Sequence, residues 1–331
     1  MSSLKTISLF AAAALILPVG CKKFSEEKRN SESATSGSVV VACDRSFENV
    51  LEQEIEVFEY IYPEASILPL YMSEQQCIDS LISGKARMAV TTRELTQSET
   101  ALLEKRRKKI VQSPIAVDAI ALIVNNDNPT KELTVAQLRM IMSGEVTDWS
   151  EIDPANRSGA ISVIFDENGS STISCVRQKV MDGDDFGSNV YAQGSNEAVF
   201  EHVAEDKGAL GIIGVSWLNP DMKSPDLSQD FVDSLDKEDV GDKSVTQSFS
   251  NRISVLAIAG GTSLKAYRPF QSYIYDGKYP LVRKIYLIST GYGGSLASGF
   301  YAFVTGFNGQ KLLRSTGVLP AGVHPRILEV E

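Results

Sequence analysis

The sequence predicts an α/β protein of two lobes, each built on a mostly parallel sheet flanked by helices. Strand-like apolar runs alternate with helical patterns along most of the chain, which is typical of parallel sheets. Residues 115–124 are apolar except for Asp118, as expected for a strand buried on both faces. The roughly 290 residues after position 38 are enough for a large core and favour two lobes over one.

The start of the chain has the features of a secretion signal followed by a tether. Lys5 precedes an apolar run, residues 7–19, that is too short to span a bilayer. A small residue directly before Cys21 resembles the cleavage site of a bacterial lipoprotein, which predicts removal of a signal peptide (1–20) and lipidation of Cys21. An ordinary signal peptide with an incidental cysteine is the alternative. Residues 21–38 are polar and predict a flexible tether, so we expect a protein of the cell envelope, anchored by lipid to a membrane and facing the periplasm or the cell exterior.

Charge and residue usage exclude several function classes. The formal net charge of −10 argues against nucleic-acid binding, and it means that an anionic ligand needs local donors. Neither histidine, His202 or His324, has metal-ligand spacing, so we expect no metal and no cofactor. Apart from Cys21, the cysteines are odd in number and form no CxxC pair, which predicts buried thiols, with one disulfide as the alternative. These three cysteines are Cys43, Cys77 and Cys175.

Apolar periodicity places the elements in order. Short strands are predicted at 39–42, 65–71, 87–92, 115–124 and 161–165. The first helix, over 47–61, stops before Pro63, and the second, over 74–83, is closed by Gly84. Thr96 with Glu99, and Thr134 with Gln137, predict capping boxes for two further helices. An aromatic helix over 300–307, with its aromatic side chains in the core, comes near the end of the chain.

The segment most informative about function is residues 168–172, which follows the strand at 161–165 and opens a helix. Three small hydroxyl residues come after Gly169, so backbone N–H groups, hydroxyl groups and the positive end of the helix dipole converge there. That combination suits an oxyanion. By itself the signal is weak, because serine and threonine also cap ordinary helices.

A set of short motifs runs in a fixed order along residues 39–325: Ser46-Phe47, Thr92-Arg93-Glu94-Leu95, Asp118, Asn125, Leu133-Thr134, Gln137-Leu138, Ser143-Gly144, Trp149, Ser170-Ser171-Thr172, Gly208-Ala209-Leu210-Gly211, Tyr279-Pro280, Gly309-Gln310, Gly317 and Pro320. In this order the motifs resemble the phosphate-binding proteins of bacterial phosphate ABC importers, within the type II periplasmic binding proteins. No single motif is decisive, but the set in this order is a strong signal.

The resemblance implies a two-lobed fold in which the chain crosses twice between lobes. Lobe 1 would comprise 39–119 and 283–331, and lobe 2 would comprise 120–282. In this family an anion lies in the cleft and hinge closure buries it. The resemblance therefore implies a monomeric, lipid-anchored binding protein that captures inorganic phosphate and delivers it to an ABC permease in the membrane.

The same resemblance assigns ligand contacts, which we expect from Ser46, the Phe47 N–H, Thr92, Arg93, Asp166, Ser170, Ser171 and Thr172. The charged positions depart from the family pattern. The family's lobe-two arginine, six residues before the last threonine of the motif, falls on Asp166, and the aspartate between them falls on Asn168. The lobe-one aspartate falls at or beside Arg93. We therefore hypothesise that the charges are exchanged, so that Arg93 supplies the cation and Asp166 accepts the ligand's proton.

Other interpretations of these residues stay open. Arg93 could pair with Glu94 or cap a helix, and Arg45 is a competing cation. Asp166 could lie on a solvated loop, and Asp118 could accept backbone N–H groups at the hinge or face the cleft.

Two other functions remain as alternatives. The same fold could bind another tetrahedral oxyanion or act as a surface sensor. A serine esterase or phosphatase is remote, because Ser170 and Ser171 lack a nearby base in the sequence and no nucleophile elbow appears. We therefore expect a binding protein rather than an enzyme.

Overall fold

The computed structural model describes residues 32–218, 252–261 and 265–322. The strands are β1 (Gly37–Asp44), β2 (Ala65–Met72), β3 (Met88–Thr91), β4 (Val111–Asn125), β5 (Glu132–Thr134), β6 (Ser162–Phe165), β7 (Val190–Ala192), β8 (Ala209–Gly214), β9 (Ile253–Val255), β10 (Ala257–Ala259), β11 (Val282–Ser289) and β12 (Leu319–Pro320). The helices are α1 (Glu48–Ile61), α2 (Glu74–Ser83), α3 (Gln97–Lys105), α4 (Val135–Ser143), α5 (Trp149–Ile152), α6 (Ser171–Lys179), α7 (Asn196–Glu205), α8 (Gln271–Tyr275), α9 (Leu296–Thr305) and α10 (Phe307–Ser315). The predicted signal peptide, Cys21 and His324 lie outside the described residues.

One long strand, β4, belongs to both parts of the sheet. The strand order is β2-β1-β3-β11-β4-β8-β6-β7, with β9 and β12 also paired to β4. Up to Ala119, β4 pairs with β11, and from Ile120 onward it pairs with β8. We call the strands on the β11 side the first half and those on the β8 side the second half. The pairing partners of β4 therefore change within a single step of the chain.

The predicted α/β class is confirmed. In the first half β1 is parallel to β2 and β3, and in the second half β6 is parallel to β7 and β8. Strand β4, which belongs to both halves, pairs antiparallel with β11 in the first and with β8 in the second. The lobe bounds at 119/120 and 282/283 remain an interpretation, because they concern which parts move together.

Local capping signals place helix ends where the sequence predicted them. Thr96 and Glu99 form the capping box of α3, and Thr134 and Gln137 form that of α4. The helix α2 ends at Gly84 with φ of 82°, a left-handed conformation that favours glycine. These ends depend on contacts within four residues, which is why the sequence reveals them.

The predicted aromatic helix is wrong in its bounds. The structure ends α9 at Thr305 and starts α10 at Phe307, with Gly306 extended between them. A Cβ on Gly309 would lie 2.6 Å from the Val304 Cα, so glycine lets α10 turn back closely against α9. The turn leaves Phe307 50% exposed, whereas the sequence placed it in the core.

Part of the predicted tether joins the folded region. Strand β1 begins at Gly37, two residues before the predicted strand. The Glu32 carboxylate lies 2.6 Å from an Arg87 nitrogen and accepts the Leu296 N–H at 3.2 Å. Residues 32–38 therefore contact the fold, and only 21–31 of the predicted tether lie outside the described residues.

The described cysteines are free thiols. Cys43 and Cys77 are buried, as predicted, and Cys175 is only partly buried. Burial raises the pKa of all three thiols. In the described ranges, no helix has the length and apolar character needed to cross a membrane.

Candidate functional site

The carboxyl ends of strands from both halves lead into the candidate site. Strand β1 ends at Asp44, β6 ends at Phe165, and β8 ends at Gly214. Ligands of open α/β sheets bind at such carboxyl ends. The segments that follow these three strands contact one another and carry most of the polar side chains described below.

The loop after β1 is held by the side chains of Asp44 and Trp217. The Asp44 Oδ1 accepts the Ser46 N–H at 2.9 Å and starts a single 3₁₀ turn before α1. The Trp217 indole N–H, from the segment after β8, donates to the Ser46 carbonyl at 2.8 Å. The Ser46 hydroxyl is thereby fixed at the boundary between the halves.

The start of α6 presents three hydroxyl groups, as the sequence predicted. Gly169 adopts φ of 85°, which turns the chain into the helix. The Ser170 Oγ caps α6 by accepting the Ile173 N–H at 3.3 Å and donates to Asp166 Oδ1 at 2.6 Å. Ser171 and Thr172 follow in the first helical turn and are buried. The positive end of the α6 dipole therefore faces the same region as the hydroxyl groups.

Ser46 contacts this turn directly across the boundary between the halves. Its Oγ donates to Asp166 Oδ2 at 3.3 Å and lies 3.1 Å from Thr172 Oγ1. Each of these side chains is at most 2% exposed, as is Ser170. Four of the predicted site residues thus form one buried hydrogen-bonded group.

The alternative that Asp166 lies on a solvated loop is therefore wrong. Asp166 is 2% exposed and accepts hydroxyl groups from both halves. Its neighbour Glu167 remains partly exposed and lies 3.6 Å from Arg45. Arg45 also lies 3.6 Å from Glu48, so two carboxylates share this competing cation.

A buried ion pair that the sequence analysis did not assign completes the group. Arg283 Nε donates to Asp118 Oδ2 at 2.9 Å, and Arg283 Nη1 donates to Ser171 Oγ at 2.7 Å. The guanidinium carbon lies 4.6 Å from the centre of the Phe47 ring. Arg283 therefore links the first half to the hydroxyl turn of the second. We name Asp44, Ser46, Asp118, Asp166, Ser170, Ser171, Thr172 and Arg283 the hydroxyl–arginine cluster.

The register of β4 and β11 brings Arg283 and Asp118 together. They are directly opposite each other in the antiparallel pair, although 165 residues separate them. Asp118 also accepts the Val215 N–H at 3.2 Å, which confirms the predicted backbone contact and also places the residue at the site. The sequence offered one signal for this ion pair, namely a single acid in one buried strand and a basic residue in another.

Gly214 keeps the backbone close to this ion pair. A Cβ at that position would lie 3.1 Å from an Asp118 oxygen and 3.4 Å from an Arg283 nitrogen. A larger residue would push into the pair. The glycine therefore has a steric role here rather than a conformational one.

Burial and the single guanidinium set the ionisation of the acids. Burial raises the pKa of Asp44 and of Asp118, and Arg283 opposes the rise at both. Burial would lower the pKa of Arg283, but Asp118 and Asp44 outweigh it and raise the pKa, so the guanidinium stays charged. The Asp44 Oδ2 atom is buried and has no hydrogen-bond partner in the described structure.

Thr92 and Arg93 line an adjacent cleft rather than the buried group. The cleft has a volume of about 500 Å³, and Ser171 and Arg283 also line it. Thr92 donates to Glu74 through both its N–H and its hydroxyl. The Arg93 guanidinium binds Glu99 at 2.8 and 2.9 Å. A ligand role for Thr92 and Arg93 stays a prediction, and Arg283 is the cation that contacts the hydroxyl turn.

The one described histidine is not placed to activate these serines. His202 lies on α7, half-exposed, with its Nε2 3.8 Å from Asp206. Ser170 instead donates to a carboxylate, and Ser171 accepts from a guanidinium. A hydroxyl that accepts from a cation is not deprotonated by it, so the contact at Ser171 favours binding over nucleophilic attack.

The chain belongs to the PBP superfamily domain family, whose model matches residues 29–306. Among curated relatives, the phosphate-binding protein PstS of Pseudomonas aeruginosa is 24% identical over 208 residues, which is 60% of this chain and 64% of that protein. PstS of Bacillus subtilis is 23% identical over 224 residues, 65% of this chain and 71% of that protein. The chain thus spans less than two thirds of the Pseudomonas relative. These relatives are named as binding proteins rather than enzymes.

Solved structures share the fold. A Clostridium perfringens protein with bound phosphate, described as a candidate phosphate ABC transporter substrate-binding protein, has a TM-score of 0.66 and 19% identity over 86% of this chain and 100% of that one. An ABC-type phosphate transport receptor from Vibrio cholerae has a TM-score of 0.58 and 18% identity, covering 86% and 99% of the two chains.

Proposed function

We propose that this PBP-superfamily chain is a lipid-anchored solute-binding protein that captures inorganic phosphate between its halves and delivers it to an ABC permease. The observation that carries the proposal is the hydroxyl–arginine cluster. One guanidinium and four hydroxyl groups, from both halves, meet at the start of α6. Charged and hydroxyl donors at a helix start are what an oxyanion needs.

The ligand contacts in this proposal come from both halves. Ser46 and the Phe47 N–H act from the first half, and Ser170, Ser171 and Thr172 act from the second. Arg283 adds the positive charge beside Ser171. Thr92 and Arg93 contribute at the edge of the cleft rather than at the centre.

The acids of the cluster determine which oxyanion fits. The cluster holds three acids, Asp44, Asp118 and Asp166, and one arginine, so an oxyanion with no proton leaves a carboxylate acceptor unsatisfied. Hydrogen phosphate can donate its P–OH proton to a carboxylate, either Asp166 or the unpartnered Asp44 Oδ2. Sulfate has no proton to donate at neutral pH, and an unpaired buried acceptor is costly. The cluster therefore selects phosphate over sulfate.

Capture requires the halves to separate and close again. Ser46 touches Thr172 and Asp166 directly, so an anion must enter between them. Strand β4 changes its pairing partner between the halves, and in this proposal it acts with β11 as the hinge. In this proposal the Asp118–Arg283 pair at the hinge holds the cation in place during the motion.

The proposal also covers how the protein is anchored to a membrane, through the predicted lipid on Cys21, and how phosphate reaches the permease. The lipid on Cys21 holds the monomer at the membrane, facing the periplasm or the cell exterior, close to its permease. A surface sensor without its own permease, or a receptor for another tetrahedral oxyanion, would use the same cluster. Co-purification of the permease with the anchored protein tests the delivery role.

Titration calorimetry tests the ligand. The mature chain, with Cys21→Ser to prevent lipidation, is titrated with phosphate, sulfate and molybdate at two pH values. The proposal predicts heat with phosphate and none with sulfate. Equal heats from phosphate and molybdate would point to a general oxyanion receptor, and no heat with phosphate would contradict the proposal.

A further inference from the structure

The cleft beside the hydroxyl–arginine cluster is lined by more basic than acidic side chains. The chain has a formal net charge of −10. The basic side chains that line the cleft are Arg93, Lys179, Arg283 and Lys284, against the acids Glu74 and Glu94. The lining itself thus holds two more basic than acidic side chains (four minus two), although Glu99 and Asp118, just outside it, pair with Arg93 and Arg283.

Two of these cations have no acidic partner among the described residues. Arg93 binds Glu99, and Arg283 binds Asp118. Lys179 and Lys284 form no ion pair within the described ranges, and both are exposed. They come from different halves, because Lys179 ends α6 and Lys284 follows Arg283 in β11.

The cleft also leads to the ligand groups of the cluster. Ser171 and Arg283 line it, although they are only 2% and 6% exposed as whole residues. An anion that reaches the buried guanidinium from this side passes Lys179 and Lys284 first. Lys179 also lies in the last turn of α6, where a cation stabilises the helix dipole, but that role does not account for Lys284.

We propose that Lys179 and Lys284 form an outer anion site at the mouth of the cleft, which attracts a phosphate-type oxyanion and guides it to Arg283. The inference rests on the proposed phosphate function and adds the route of entry. Charges that line a cleft raise the local concentration of a counter-ion and speed its association, and salt weakens the effect. The two lysines thus act on the association rate rather than on the final contacts.

Stopped-flow kinetics test the route. Phosphate binding is followed by the fluorescence of Trp217, which contacts Ser46, in the wild type and in Lys179→Gln/Lys284→Gln. At low ionic strength we expect the association rate to fall about three- to tenfold, with a smaller change in dissociation. In about 1 M salt the difference should vanish.

A matched control keeps the same change in net charge. Lys131→Gln/Lys207→Gln removes two lysines that do not line the cleft, and Lys207 pairs with Asp127 at 2.7 Å. We expect it to keep the wild-type association rate. Equal association rates in the two double variants would overturn the outer site.

A second measurement does not depend on phosphate. Cys175 lines the cleft, whereas Cys43 and Cys77 are fully buried. In the Cys21→Ser background we therefore expect thiol reagents to react with Cys175. We compare its reaction rates with dianionic dithio-bis-nitrobenzoate and with neutral dithiodipyridine. A change in the pKa of the Cys175 thiol alters both reaction rates by the same factor, so it cancels in the ratio of the anionic to the neutral reagent.

The stopped-flow kinetics and the Cys175 reaction rates together separate the outer anion site from the proposed phosphate function. We expect the anionic-to-neutral rate ratio to fall severalfold in Lys179→Gln/Lys284→Gln and to stay unchanged in the control. An unchanged ratio in the cleft variant would overturn the outer site. If the wild type fails to bind phosphate but the rate ratio falls in Lys179→Gln/Lys284→Gln, the phosphate proposal fails and the outer anion site stands.

Discussion

The two halves of the molecule contribute different chemistry to the same cluster. The first half supplies Asp44, Asp118 and Arg283 from strands, where the backbone holds the charges in register. The second half supplies Ser170, Ser171 and Thr172 from the start of a helix, where donors face the boundary. The first half therefore supplies the cation and two of the three carboxylates of the cluster, and the second half supplies Asp166 and three of the four hydroxyl groups.

Removing the central cation should have the largest effect. We predict that Arg283→Met lowers the free energy of unfolding by about 3–5 kcal/mol, because Asp118 is left as a buried charge without its partner. Phosphate binding should be lost as well. Urea unfolding and calorimetry measure the two effects.

The double variant separates stability from binding. Arg283→Met with Asp118→Leu removes both charges, so stability should largely recover while phosphate binding stays absent. Normal phosphate affinity in the double variant would show that the ion pair serves folding alone.

A third buried acid in the first half, Glu54, sharpens the comparison, because it lacks a partner in the described structure. Glu54 is 2% exposed and neither of its oxygens is hydrogen-bonded in the described structure. Burial raises the pKa of Glu54 well above 4.5. The unfolded chain ionises first as pH rises, so stability is full below about pH 4.5 and falls through the raised folded-state pKa.

Glu54→Gln should therefore stabilise the protein at alkaline pH. We expect a gain of about 1–3 kcal/mol at pH 8 and a smaller change at pH 4.5, since only the charged form is penalised. Exposed Glu64→Gln is the control and should change neither value. A pH-independent difference between wild type and Glu54→Gln would contradict this explanation.

The hydroxyl groups of the second half should each have an intermediate effect. Ser170→Ala removes the α6 cap and a donor to Asp166, so we predict about tenfold weaker phosphate binding. Ser174→Ala is the control, because Ser174 bonds only the Ser170 carbonyl among the described contacts. If both variants bind phosphate like the wild type, the α6 turn is an ordinary helix start.

The smallest effect should come from Arg93, the cation that the sequence suggested. Its guanidinium is held by Glu99, and this contact lowers the pKa of Glu99 to about 2. Arg93→Ala should therefore weaken phosphate binding less than about fivefold. It should also raise the pKa of Glu99, which NMR titration measures. A loss of binding as large as that of Arg283→Met would restore the exchanged-charge hypothesis.

These contrasts show which features the sequence could reveal. Helix caps such as Thr96 and Thr134, and the hydroxyl turn at Ser170, depend on neighbours a few residues away, so their patterns are visible. The family resemblance added the opposite partner, Ser46, which lies in the predicted group.

The remaining site contacts join residues that are far apart in the sequence, so they could not be predicted from it. Arg283 meets Asp118 only through the register of β11 against β4, which no local pattern encodes. The burial of Asp166 likewise depends on Ser46, 120 residues earlier in the chain. Paired opposite charges in two otherwise buried strands are a usable signal for such a site, because each would be costly alone.

The most direct test of the account is a crystal structure of the mature Cys21→Ser chain grown with phosphate. The account predicts a phosphate held by Ser46, the start of α6 and Arg283, with Asp44 or Asp166 accepting its proton. A phosphate bound instead at Arg93, with the hydroxyl–arginine cluster unchanged, would contradict it.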